Sequence, residues 1–135
     1  HVALNKLPKM TLGWQILPEF RVVQHQRDER VLHKLQSFFG FGSVVINHND
    51  RKEFRVRGLE NLNVLVQFFK TYPLLTSKRK NFELFSQVVE MMNNKKHLTL
   101  GGLKKIATIA SQMNRQKTRY LESSETVRRN SIQAE

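Results

Sequence analysis

Ser43-Val44-Val45-Ile46-Asn47-His48-Asn49-Asp50-Arg51-Lys52-Glu53-Phe54-Arg55-Val56-Arg57 reads as a β-hairpin. Two short strands, 43–47 and 53–57, flank His48-Asn49-Asp50-Arg51, a run of polar turn-forming residues. Successive side chains of a strand point to opposite faces. Phe54 and Val56 therefore point one way, Arg55 and Arg57 the other. One face suits a core, and the other carries guanidinium groups.

Upstream, residues 12–25 alternate in the same manner. Trp14, Ile16, Pro18, Phe20 and Val22 fall on one side, and Gln15, Leu17, Glu19, Arg21 and Val23 on the other. Period two predicts a half-buried strand. Pro18 has no N–H to donate, which places it at an edge or a bulge. Residues 2–6 form the end of a further strand, and 6–10 turn around Pro8. Asp28-Glu29 opens a helix, acids being favoured at the positive helix end. Val31, Leu32, Leu35, Phe38 and Phe39 give it one apolar face, and Gly40-Phe41-Gly42 ends it.

Downstream, Leu59, Leu62, Leu65, Val66 and Phe69 mark a helix that stops before Pro73. Thr76 or Ser77 caps the next, whose inner face holds Phe82, Phe85, Val88, Val89 and Met92. Thr99 caps a last one with Leu103, Ile106, Ala110 and Met113. From Arg115 onward Lys117, Arg119, Arg128 and Arg129 dominate, so 1–114 reads as the domain and 115–135 as a basic tail. The order is strand–strand–helix–strand–strand–helix–helix–helix. It predicts an α+β fold: a mixed or antiparallel four-stranded sheet with helices on one face.

The open face then carries Gln15, Glu19, Arg21, Ser43, Val45, Asn47, Glu53, Arg55 and Arg57. An antiparallel ribbon bearing Arg, Gln and Asn suits a DNA major groove, because those side chains pair bidentately with guanine and adenine edges. Gln15, Glu19, Arg21, Asn47, Arg55 and Arg57 are the candidate contacts. An ordinary solvated sheet face is the other reading. Composition bears on the choice: 23 Lys and Arg against 11 Asp and Glu leave a formal charge of +12 on 135 residues. Residues 51–100 alone hold ten basic and four acidic groups, so the excess is not confined to the tail. Such a surface attracts polyanions, nucleic acid above all. The absence of cysteine excludes disulfides, thiolate catalysis and Cys-ligated metals. No apolar run reaches the length of a membrane span, and no signal-peptide pattern follows His1. The five histidines are far apart in sequence and the carboxylates scattered, so no spacing suggests a metal site.

Several strings together resemble the LAGLIDADG homing endonuclease family, over residues 2–114. They are Gln24-His25, Asp28 at a helix start, Leu35-Gln36-Ser37-Phe38-Phe39-Gly40-Phe41-Gly42, Tyr72-Pro73-Leu74-Leu75-Thr76-Ser77-Lys78 and Asn94-Lys95-Lys96-His97-Leu98-Thr99-Leu100-Gly101-Gly102-Leu103. The tail from Lys117 to Arg128 is similar more weakly to the end of single-motif members. The resemblance implies αββαββα units that pair, as a homodimer or as two halves of one chain. It implies sheets that saddle the major groove of double-stranded DNA. It also implies one metal-binding acid at the foot of each signature helix, so that Mg2+ is expected only in the complete enzyme. That helix precedes the first strand, and no Gly-x-x-Asp/Glu-Gly motif occurs in 1–135, so an N-terminally incomplete unit is expected. Two accessory catalytic positions carry over by resemblance. Gln24 orders water near the scissile phosphate, and Lys78 favours charge build-up there, with Ser77 and Lys80 leaving that register open by one or two places. A solvated strand end and a solvated helix start are their other readings. The function implied is the DNA-binding part of a site-specific endonuclease. The alternatives are a non-cleaving module, such as a maturase that binds its intron RNA, and an RNA- or ribosome-associated basic protein. The implied location is mitochondrion or chloroplast.

Overall fold

The computed structural model describes residues 1–114 and 120–121. The chain runs β1 (Val2–Lys6), β2 (Trp14–Pro18), β3 (Phe20–His25), α1 (Glu29–Phe39), β4 (Ser43–His48), β5 (Arg51–Val56), α2 (Leu59–Thr71), α3 (Ser77–Asn93) and α4 (Leu100–Asn114). Short 3-10 turns at Gln26–Asp28 and Lys96–Leu98 precede α1 and α4. This is an α+β fold, and all its ladders are antiparallel. Among the described residues there are five strands, and they lie in two sheets, β1-β2 and β3-β5-β4, in place of the one four-stranded sheet expected. The expected strand over 12–25 is divided at Pro18. Val2 is still paired with Pro18, but Phe20 is paired with Val56. A proline cannot extend a ladder through its nitrogen, and the chain changes partner at that point.

The molecule divides there too, into two compact units: His1–Pro18 with the chain from Tyr72 onward, and Glu19–Thr71. The tail, 115–135, lies outside the described residues except for Tyr120 and Leu121; the Tyr120 ring meets Trp14 edge-on at 5.5 Å.

In the Glu19–Thr71 unit, α1 packs on one face of the β3-β5-β4 sheet. Phe54 and Val56 of β5 and Leu32 of α1 are wholly buried, and Phe39 stacks on Phe54 at 6.3 Å. Leu62, Leu65 and Val66 are the buried residues of α2. Phe68 of α2 meets Phe38 and Phe39 edge-on. Asp28 sits at the N-cap of α1 without a side-chain cap bond; Glu29 instead accepts a hydrogen bond from Lys52 Nζ at 2.6 Å. That bond ties the helix start to β5. Gly40 ends α1 in the left-handed region, and the Gln36 amide then donates to Gly42 O at 2.9 Å. Gly42 has φ +92°, and a Cβ there would lie 2.5 Å from Phe54 Cε2. Only glycine permits both the backbone angle and the approach of the aromatic ring.

In the other unit, β1 packs on α4 and β2 on α3. Val2, Leu4, Ile16, Phe85, Val88, Val89, Leu103, Ile106 and Ala110 are buried in it. Thr99 caps α4 as expected, its hydroxyl oxygen accepting from Gly102 N at 3.1 Å. Thr76 occupies the N-cap of α3 but makes no cap bond; its hydroxyl donates to Leu75 O.

Candidate nucleic-acid interface

The face of the three-stranded sheet opposite Phe54 and Val56 is charged. The β3–β5 register sets Arg21 directly opposite Arg55, and Val23 opposite Glu53. Directly opposed side chains of an antiparallel pair have Cβ atoms about 5 Å apart, and like charges there repel. Two carboxylates resolve the repulsion. Arg21 Nε donates to Glu19 Oε2 at 2.8 Å, and Arg57 Nε donates to Glu19 Oε1 at 2.7 Å. Arg55 donates from Nε and Nη2 to the two oxygens of Glu53, each at 3.3 Å. Arg21 Nε lies 3.6 Å from Glu53 Oε2, which joins the groups into one chain, Arg57–Glu19–Arg21–Glu53–Arg55.

Asn47 brings β4 into the same network. The β4–β5 pairing shifts register between Ile46 and His48, so Asn47 stands at a bulge. A bulge re-aims the side chain that it carries. Here the Asn47 amide donates to Glu53 Oε1 at 3.2 Å.

Burial separates the acids from the bases. The Glu19 and Glu53 side chains are 2% exposed, whereas those of Arg21, Arg55 and Arg57 are 32%, 29% and 50% exposed. Burial pushes the Glu19 carboxyl pKa up, but the hydrogen bonds and charges of Arg21 and Arg57 outweigh it and leave the pKa below its ordinary value. Glu53 follows the same pattern, with burial opposed by Arg55, Asn47 and the charge of Arg21. Glu53 in turn raises the pKa of Arg55 through their hydrogen bonds. Both carboxylates stay ionised beneath a partly exposed guanidinium layer.

The expected contact residues thus fall into two groups. Arg21, Asn47, Arg55 and Arg57 are brought together on this face. Glu19 belongs to the cluster but not to its surface: it is buried under two arginines, and no base edge can reach it in this arrangement. Glu53, which alternation put on the same face, is buried for the same reason. Gln15 lies in β2 of the other unit, opposite Asn5, on the wall of a cleft of about 460 Å³ shared with Trp14, Met92 and His97. Lys78 is exposed, in the first turn of α3 in that unit. Gln24 is half-buried near the end of β3, opposite Lys52. Neither Gln24 nor Lys78 is part of the arginine network. Among the described residues no group of three or more His, Asp or Glu is disposed to hold a metal. Glu19 and Glu53 already neutralise arginines, so these residues do not fit a divalent-metal site. No described helix is long and apolar enough to cross a membrane.

The sequence profile of the LAGLIDADG endonucleases matches residues 1–89. The chain belongs to the LAGLIDADG endonuclease family. It is 35% identical over 116 residues to the probable intron-encoded endonuclease 3 of Neurospora crassa, and 32% identical over 116 residues to endonuclease 2 of that fungus. Those matches cover 84% of this chain but 22% and 26% of the relatives, so the chain spans about a quarter or less of their length. Among solved structures, the homing endonuclease I-TnaI is 46% identical with a TM-score of 0.81, over 84% of this chain and 78% of its own. The meganuclease I-SmaMI, in a crystal with uncleavable DNA, is 32% identical with a TM-score of 0.85. That match covers 92% of this chain and 43% of its own. The LAGLIDADG unit and its α+β fold are therefore as the sequence led one to expect.

Proposed function

We propose that this chain is the DNA-binding unit of a homing endonuclease and that it reads base edges in the major groove through Arg21, Arg55, Arg57 and Asn47. The arginine array on the open face of an antiparallel sheet carries this reading. Arginine meets guanine O6 and N7 with two donors, and asparagine meets adenine in a similar way. A LAGLIDADG relative of the same fold, I-SmaMI, has been crystallised on DNA, which supports DNA as the partner here. The +12 charge adds attraction to phosphate that does not depend on sequence. We assign Gln15 to a further DNA contact outside this array, and Gln24 and Lys78 to accessory catalytic roles at the scissile phosphate, Gln24 ordering water and Lys78 favouring charge build-up. Metal-dependent cutting, with Mg2+ as the expected ion, belongs to the complete enzyme. Pairing with a second such unit, in another copy or another part of a longer chain, accords with the 43% of I-SmaMI that one unit covers. The intron-encoded fungal relatives favour a mitochondrial over a chloroplast location.

The test is a binding titration of the chain with duplex DNA and with structured RNA across a range of salt. Duplex binding that weakens steeply with salt, with enrichment of a sequence motif from a randomised duplex library, is the expected result. Preference for RNA over duplex would favour the maturase reading. Salt-independent binding would remove the electrostatic basis of both.

A further inference from the structure

The network leaves each arginine half committed. All the contacts described for Arg21, Arg55 and Arg57 with the glutamates run through Nε and Nη2. A guanidinium has five N–H donors in a planar fork. With its Nε–Nη2 edge on a carboxylate, the end formed by Nη1 and the second Nη2 hydrogen is left, and this end can make a two-donor contact to guanine. We propose that Glu19 and Glu53 are positioning residues for base readout, holding the three arginines and Asn47 as one preset array before DNA arrives. This rests on the reading of the sheet face as a DNA-reading surface.

Three observations carry it. The acids are buried and the bases partly exposed, so the anchor lies beneath and the usable donors lie above. The anchors span all three strands: Glu19 grips Arg21 in β3 and Arg57 after β5, and Glu53 grips Arg55 in β5 and Asn47 in β4. The opposed Arg21–Arg55 pair would splay apart without a counter-charge between them. A side chain already fixed loses less freedom on binding, so preset arginines discriminate better than floppy ones. The acids have a second effect. Three guanidiniums against two carboxylates leave the array with a net charge of only +1. The array thus draws little on phosphate and much on fit.

The experiment is selection from a randomised duplex library with the full chain, as wild type and as Glu19→Gln, Glu53→Gln and Arg55→Ala. Glutamine keeps the size of the side chain and removes its charge. We expect Glu53→Gln to lose enrichment at the base pairs that Arg55→Ala loses. Specific over non-specific affinity should fall about tenfold or more, while non-specific affinity rises and its salt dependence steepens, since each variant uncovers one positive charge. If wild type and both glutamine variants enrich one motif with equal discrimination, the positioning role is wrong although the DNA reading stands. If wild type enriches no motif, the DNA reading itself fails and this inference with it. A variant that does not fold leaves a direct measurement on the wild type. The Nε–H signals of Arg21, Arg55 and Arg57 in the free protein should be resolved and slow to exchange beside that of exposed Arg27. Averaged, fast-exchanging signals for all four would overturn the proposal.

Discussion

The β3-β5-β4 sheet buries side chains on each side, and it does so by opposite physics. On one side Phe54, Val56 and Leu32 are dry and wholly enclosed, and Phe39 stacks on Phe54. Apolar contact has no direction, so any well-fitting side chain would serve. On the other side Glu19 and Glu53 are as deeply buried, but each oxygen faces a named donor. Buried charge is tolerated only with such partners, and it fixes geometry more than it adds stability. The dry face therefore holds the unit together, while the ionic face holds a pattern. Substitutions on the two faces should separate those roles.

The largest effect is expected on the dry face. Phe54→Ala removes a fully buried ring and should cost about 3–5 kcal/mol, read from chemical denaturation. Gly42→Ala follows at about 2–4 kcal/mol, from a left-handed backbone and a Cβ driven against the same ring. A cost below about 1 kcal/mol in both would mean that the dry face does not dominate stability.

On the ionic face the cost is smaller and depends on pH. Glu53→Gln should lower stability by about 1–3 kcal/mol, because a buried acceptor loses its charge while the arginines keep theirs. The sign of the pH effect follows from the lowered pKa values of Glu19 and Glu53. Their stabilisation is complete above the ordinary Glu value of 4.5 and is lost as pH falls through the lower folded values. The wild-type Tm should drop as pH falls below 4.5, and the Glu19→Gln, Glu53→Gln double variant should show a shallower drop. Parallel curves for the two proteins would place the acid sensitivity elsewhere.

The two faces also differed in how far the sequence could reveal them. Alternation assigned Phe54, Val56, Arg55 and Arg57 correctly, because period two needs only local spacing. The helix that begins after Asp28 and ends at Gly40 was legible from its apolar stripe and its terminal glycine. The break at Pro18 was legible only as an irregularity, since the change of partner from β1 to β5 is a long-range event. Burial of Glu19 and Glu53 was hidden for a similar reason. An acid between basic residues reads as solvated surface until the register places Arg21 against Arg55 and requires a counter-charge. The clue lay in the cross-strand pairing and not in any one strand.

The smallest structural effect is expected at Lys78, and it sharpens the contrast with the array. Its side chain is exposed in the first turn of α3, outside the arginine network, so Lys78→Ala should change stability by no more than about 0.5 kcal/mol. As a proposed phosphate contact it carries no base information. Its loss should weaken duplex binding by a similar factor for every sequence and make the slope of log affinity against log salt shallower by about 1. Arg55→Ala should do the reverse, relaxing preference at one or two base pairs by about 1–3 kcal/mol and moving the salt slope less than Lys78→Ala does, because its free donors are proposed to meet a base and not a phosphate. Library selection and a salt titration on the same two variants separate the cases. If both variants lower all affinities uniformly, the arginine face is an ordinary basic surface. If Lys78→Ala alone alters the selected motif, base readout belongs to the unit that holds α3.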